Sequence, residues 1–193
     1  MERRKLFLDY DGCIVNTILA ITEMYNDDFQ YYKDYKPIGW WDVMTWDFEE
    51  LKCVSKEYIN TYFNQKRFFD KIRYMPDAYE TICELNKYYD ITIVSTGYSP
   101  NLKGKKLWVK EHLPFCEFIG INLKEYSDKS HIDMSGNGNI FIDDSANNLI
   151  TSNCENRICF GEVYPWNEDW TGTRIKNWEE ILGGLKTWKK LIV

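Results

Sequence analysis

The chain has 193 residues, enough for one domain of ordinary size with a substantial apolar interior, or for a core domain carrying a modest insertion. Its 30 Asp and Glu outnumber 24 Lys and Arg, for a net charge of −6, and no basic block stands out. That balance argues against a nucleic-acid polymer as partner but leaves room for a small phosphate held through a cation. No apolar run approaches the length of a membrane span, and MERR leads straight into an apolar strand with no room for a signal peptide, so a soluble, cytoplasmic protein is expected.

In chain order, Leu6, Phe7 and Leu8 form an apolar run too short for a helix and bounded by charge, which reads as a buried parallel strand. Asp9 and Asp11 follow, and Gly12 permits a sharp turn. Ligands of open α/β sheets gather at the carboxyl ends of strands, so both carboxylates are expected at the mouth of a crevice. Ile18, Ile21 and Tyr25, and later Leu51, Val54, Tyr58 and Tyr62, fall at helical spacing and predict two helices. Between them lies an irregular stretch broken by Pro37 and Gly39, whose Trp40, Trp41 and Trp46 read as packing within a small unit. Residues 17–73 are too many for a crossover helix. They read as a mostly helical cap inserted after the first strand, leaving 1–16 and 74–193 as the core domain.

Pro76 then opens a helix with Ala78, Ile82, Leu85 and Tyr89 on one stripe. The β-branched run Ile91, Thr92, Ile93 and Val94 predicts a second strand, ending on the hydroxyl pair Ser95 and Thr96 before Gly97. Ser99 and Pro100 start a helix that passes Trp108 and His112 and stops at Pro114. Phe118, Ile119 and Ile121 predict a third strand; a long loop with Lys124, Lys129 and an SGNGN run follows. Ile140, Phe141 and Ile142 predict a fourth strand, which stops at Asp143 and Asp144. Residues 157–160 predict a fifth strand, and Asn177 is placed to cap a last helix with Trp178, Ile181, Leu185 and Trp188 on one face. This alternation predicts an α/β fold, a Rossmann-like doubly wound parallel sheet. Six cysteines without a C-x-x-C pair and two histidines, His112 and His131, read as reduced thiols and ordinary side chains rather than a zinc site.

Four groups therefore converge: Asp9 with Asp11, Ser95 with Thr96, a lysine that is Lys129 or its competitor Lys124, and Asp143 with Asp144. Two like charges about 4 Å apart repel by about 4 kcal/mol at an effective dielectric near 20, so such a cluster calls for a cation. All-oxygen ligands together with a phosphate suit Mg²⁺. The order D-x-D-G, a Ser or Thr closing the second strand, a lysine, then D-D resembles the four motifs of the haloacid dehalogenase (HAD) superfamily of phosphotransferases. Within it the chain resembles the 5′(3′)-deoxyribonucleotidases. There an aromatic pair precedes a proline-opened helix, here Phe68 and Phe69 before Pro76, and K-x-x-W-V follows the second motif, here Lys105, Trp108 and Val109.

The resemblance implies that Asp9 is a nucleophile forming an aspartyl-phosphate and that Asp11 is the acid and base. Ser95, Thr96 and Lys129 would hold the phosphate, and Asp9, Asp11, Asp143 and Asp144 would surround Mg²⁺, with the direct ligand of the last two left open. Phe68, Phe69 and Lys105 would contact the substrate. The implied activity is dephosphorylation of (deoxy)ribonucleoside monophosphates. The alternatives are another small phosphate ester, such as a phosphosugar or a 3′-phosphate, or a non-catalytic phosphate-binding relative. A homodimer is left open.

Overall fold

Alternate residues of one short strand feed two separate apolar cores. In β1 (Arg4–Leu8) the side chains of Leu6 and Leu8 join one buried cluster while Phe7 joins the other. The computed structural model, which describes residues 3–181, repeats this on the neighbouring strands. In β2 (Tyr89–Gly97) Ile91 and Ile93 face the first cluster and Val94 the second; in β4 (Ile140–Asp143) Ile140 and Ile142 oppose Phe141. A sheet buried on both faces needs strands that are apolar throughout, which is why the strands read as continuous hydrophobic runs. Burial of each such side chain contributes about 1.5–3 kcal/mol.

β3 (Glu117–Asn122) pairs with β2, β5 (Asn156–Phe160) with β4, and β6 (Thr173–Ile175) with β5. The six strands run parallel in the order β3-β2-β1-β4-β5-β6. This is the doubly wound arrangement expected from the sequence. With every strand parallel, their carboxyl ends share one edge, and Leu8 stands level with Ile93 and Ile142. One step further along that register lie Asp9, Val94 and Asp143.

Between β1 and α4 (Ala78–Leu85) the chain forms α1 (Thr17–Phe29), a 3-10 turn (Trp40–Asp42), α2 (Lys56–Tyr62) and α3 (Lys66–Lys71). Asn16 caps α1 by accepting from the Leu19 amide at 2.9 Å. The two ends of this stretch run side by side: Asn16 N donates to Arg73 O at 2.9 Å and Met75 N to Ile14 O at 2.8 Å. α5 (Ser99–His112) carries proline in its first turn, and α6 (Ala146–Thr151) follows β4.

Several boundaries differ from the sequence expectation. Leu51 and Val54 precede α2, because Ser55 accepts from the Tyr58 amide and starts the helix at Lys56; Leu51 is buried without being helical. Pro76 lies outside α4, since Asp77 takes a left-handed conformation (φ 62°) before the first helical turn, and Tyr89 opens β2 rather than ending the helical stripe. α3, α6 and β6 are too short to show a period. Trp41 is 68% exposed and Trp40 37%, so neither packs as expected. The last helix begins as predicted, with Asn177 Oδ1 accepting from the Glu180 amide at 3.0 Å; Leu185 and Trp188 lie outside the described residues.

Candidate active site

Asp9 is anchored at the end of β1 by its own backbone, whose N–H donates to Ile142 O at 2.9 Å. The chain then turns tightly: Ile14 N and Val15 N both donate to Tyr10 O at 3.1 Å. Gly12 makes this possible twice over. Its φ is 70°, and a β-carbon there would stand 2.8 Å from Asp144 Oδ2. The turn presents Asp9 and Asp11 to one cavity of about 490 Å³, also lined by Thr96, Lys105 and Asp144.

Two buried lysines divide the carboxylates between them. Lys129, fully buried, donates to Asp9 Oδ1 and, at 2.6 Å, to Asp143 Oδ2. Lys105 reaches in from α5 and donates to Asp11 Oδ2, to Ser95 Oγ at 2.9 Å and to Thr96 O at 2.9 Å. Asp11 is further held by Thr17, whose hydroxyl donates to Oδ1 at 2.7 Å, and by Ser95 at 3.3 Å. Asp143 accepts from the Ser145 amide at 2.8 Å and from Asn148 Nδ2 at 3.1 and 3.2 Å, so both its oxygens are engaged. The side chain of Asp144 accepts from Trp166 Nε1 at 3.0 Å.

One oxygen each from Asp9, Asp143 and Asp144 lies within 4.8 Å of the others. Three carboxylates against one lysine leave an excess of negative charge in a poorly solvated place, and the acidities reflect it. Burial, opposed by Lys129 and reinforced by Asp143 and Asp11, pushes the Asp9 carboxyl up to about 7. Asp144 is also pushed up, by burial first and then by the charges of Asp9 and Asp143. For Lys129, burial alone would lower the ammonium; Asp143 and Asp9 outweigh it and hold it above the ordinary lysine value. An all-oxygen donor set with surplus negative charge fits a hard divalent cation such as Mg²⁺, for which Asp144 and Asp9 offer the less committed oxygens.

The structure thus brings together Asp9, Asp11, Ser95, Thr96, Lys105, Lys129, Asp143 and Asp144, while Lys124 is exposed. Lys105 lines the cavity and stands at Asp11. Of the hydroxyl pair, Thr96 lines the cavity and Ser95 is fully buried beneath it. Phe68 and Phe69 are not brought to the cavity. Phe68 is a fully buried core residue, and the Phe69 ring packs on Gly104 of α5. Trp46, Phe63 and Tyr98 supply the rings that line the cavity instead. Sequence reasoning did not single out Thr17, Asn148 or Trp166; the first opens a helix six residues after Asp11, and the second sits one helical turn beyond the D-D pair.

The described fold is similar to that of solved HAD-type proteins. A predicted phosphatase from Clostridium acetobutylicum aligns with a TM-score of 0.65 at 11% identity, covering 97% of this chain and 100% of that one. A haloacid dehalogenase-like hydrolase from Streptococcus pneumoniae aligns at 0.61 and 15% identity, covering 95% and 98%. A HAD-hydrolase from Bacillus subtilis, itself bound to magnesium, aligns at 0.57 and 14%, covering 96% and 99%. The sheet order and parallel strands are those of the HAD fold, with the carboxylates gathered at one edge.

The sequence narrows this further. Residues 3–187 match the model of the family described as 5′ nucleotidase, deoxy (pyrimidine), cytosolic type C, and the chain belongs to that family. A 5′(3′)-deoxyribonucleotidase of Clostridium acetobutylicum is 28% identical over 183 residues, covering 93% of each chain.

Proposed function

We propose that this phosphatase is a Mg²⁺-dependent phosphomonoesterase that hydrolyses (deoxy)ribonucleoside monophosphates in the cytoplasm, with residues 17–73 acting as a cap over the phosphate site. The observation that carries this reading is the pairing of Asp9 and Asp11 on one cavity wall, each carboxylate engaged by its own buried lysine. Asp9 Oδ attacks phosphorus and forms an acyl-phosphate as the bond to the leaving oxygen breaks. Asp11 delivers a proton to that oxygen, so the alcohol departs neutral. Water then attacks the same phosphorus, Asp11 takes its proton, and inorganic phosphate leaves with Asp9 regenerated. Thr17, Ser95 and Lys105 orient the Asp11 carboxyl, Thr96 lines the cavity where the phosphate would sit, and Lys129, buried behind Asp9, offsets the charge of the nucleophile. Asp9, Asp144 and the neighbouring Asp143 would hold Mg²⁺, which when bound offsets the negative charge of the phosphoryl group.

The test is phosphate release from deoxyribonucleoside 5′-monophosphates in Mg²⁺ by the wild type and by Asp9→Asn. The variant should be inactive, because an amide cannot form the acyl-phosphate. Near-normal kcat in Asp9→Asn would rule out the covalent route.

A further inference from the structure

The walls of the cavity away from the carboxylates carry amides and rings but almost no charge. Lys105 is the one cation among its lining residues, and it is already engaged by Asp11. The same cavity is lined by Asn60, on α2, and Asn64, just past the end of that helix. The spacing of four residues places both on one side of the turn, with the Phe63 ring beside them lining the same cavity. Both asparagines are exposed, and neither side-chain amide has a hydrogen-bond partner within the described residues. Their position relative to the core is nonetheless fixed: Asn101 of α5, 4% exposed, donates through Nδ2 to Phe63 O at 2.8 Å and so pins the turn that carries them.

From this we infer that Asn60 and Asn64 read the leaving group, and that they select a neutral, planar one whose edge alternates hydrogen-bond donors and acceptors, a nucleobase. The inference rests on the nucleotidase reading above and assigns residues to its specificity. A carboxamide offers one donor face and one acceptor face, so two of them can match an acceptor–donor–acceptor edge such as that of uracil or thymine. Phe63 and Trp46 supply ring faces for such a base to lie against. A leaving group with a second anionic charge finds no free cation on these walls and pays for desolvation without compensation.

The experiment compares kcat/KM for 2′-deoxyuridine 5′-monophosphate, p-nitrophenyl phosphate and 2-phosphoglycolate in the wild type, Asn60→Ala, Asn64→Ala and the double variant, with thermal midpoints recorded for each. The wild type should prefer the nucleotide to both other esters. Each single variant should lower the ratio of nucleotide to p-nitrophenyl phosphate by about fivefold, through KM, and the double variant by about 25-fold, as expected when one net hydrogen bond is removed at each step. An unchanged ratio in a folded double variant, beside a wild type that prefers the nucleotide, overturns the asparagine assignment alone. A wild type that prefers 2-phosphoglycolate overturns the nucleotidase reading as well.

Discussion

The distal edge of the Phe69 ring occupies the space that a β-carbon on Gly104 would fill: Phe69 Cζ would lie 2.2 Å from such an atom and Cε2 2.3 Å. This contact seats α3 directly on α5, and it explains why an aromatic pair that suggested a nucleobase wall is spent on packing. Gly104 lies inside a helix, where alanine would ordinarily gain about 1 kcal/mol. Here the gain is reversed by overlap with the ring.

Gly104→Ala should therefore destabilise the fold by about 1–3 kcal/mol in urea unfolding, the usual cost of overpacking. Combined with Phe69→Ala, it should recover most of that loss, because the ring that blocks the β-carbon is gone; the pair is non-additive in the sense of a double-mutant cycle. Additive losses would mean that the ring and the glycine do not meet.

The strand ends were legible because a doubly buried parallel sheet leaves little freedom: an apolar run of three to five residues followed by a carboxylate or hydroxyl has to deliver that group to the sheet edge. Asp9, Ser95 and Asp143 were found this way, and the parallel register then brings Asp9 beside Asp143. What did not show was anything dependent on how separate segments meet. That Lys105 also comes off α5 to donate to Asp11, Ser95 and Thr96 did not show, because those groups lie just past β1 and at the end of β2. Phe63 could not be told from Phe68 and Phe69 by spacing, since the turn between α2 and α3 decides which ring faces the cavity.

A second expectation concerns acid stability. The side chain of Asp28 on α1 accepts from Arg67 Nη1 and Nη2 of α3, each at 2.6 Å, and from the Tyr62 hydroxyl of α2 at 2.8 Å, tying three helices together. The Arg67 hydrogen bonds hold its carboxyl below the ordinary aspartate range, against a smaller opposing effect of burial. A carboxyl depressed by folding contributes stability that is present above its unfolded value and lost as pH falls through its folded one. Asp28→Asn should thus cost about 1 kcal/mol at neutral pH, and the difference from wild type should shrink towards zero in strong acid. A gap independent of pH in urea titrations would show that Asp28 acts through packing rather than charge.

Mg²⁺ should stabilise the folded protein independently of any turnover. If Asp9, Asp143 and Asp144 share one ion, saturation at a hundredfold over its dissociation constant adds about 2.7 kcal/mol, a rise in thermal midpoint of about 5–10 °C for a chain of this size. Asp144→Asn should lose most of that rise. In EDTA the variant should be no less stable than wild type, because it removes one of three crowded carboxylates. An equal Mg²⁺ shift in both proteins would place the ion elsewhere.

The sharpest contrast is between the two loop lysines. Lys129 is fully buried with its ammonium on Asp9 and Asp143, whereas Lys124 is exposed at the surface. Lys129→Met keeps much of the volume but leaves three neighbouring carboxylates without their cation. Removing one partner of a buried pair typically costs about 3–5 kcal/mol, so the variant should unfold at markedly lower urea in EDTA. Part of the loss should be recovered in Mg²⁺, since a divalent ion in the same cluster neutralises the same charges. Under the proposed mechanism phosphate release should nonetheless stay low in Mg²⁺, because the ammonium beside Asp9 is still missing. Lys124→Met should move stability by no more than about 0.5 kcal/mol, as surface substitutions do. The measurement is a urea series for both variants with and without Mg²⁺, read alongside initial rates. Comparable losses in the two variants, or a fully active Lys129→Met, would show that the charge offset at Asp9 comes from somewhere other than Lys129.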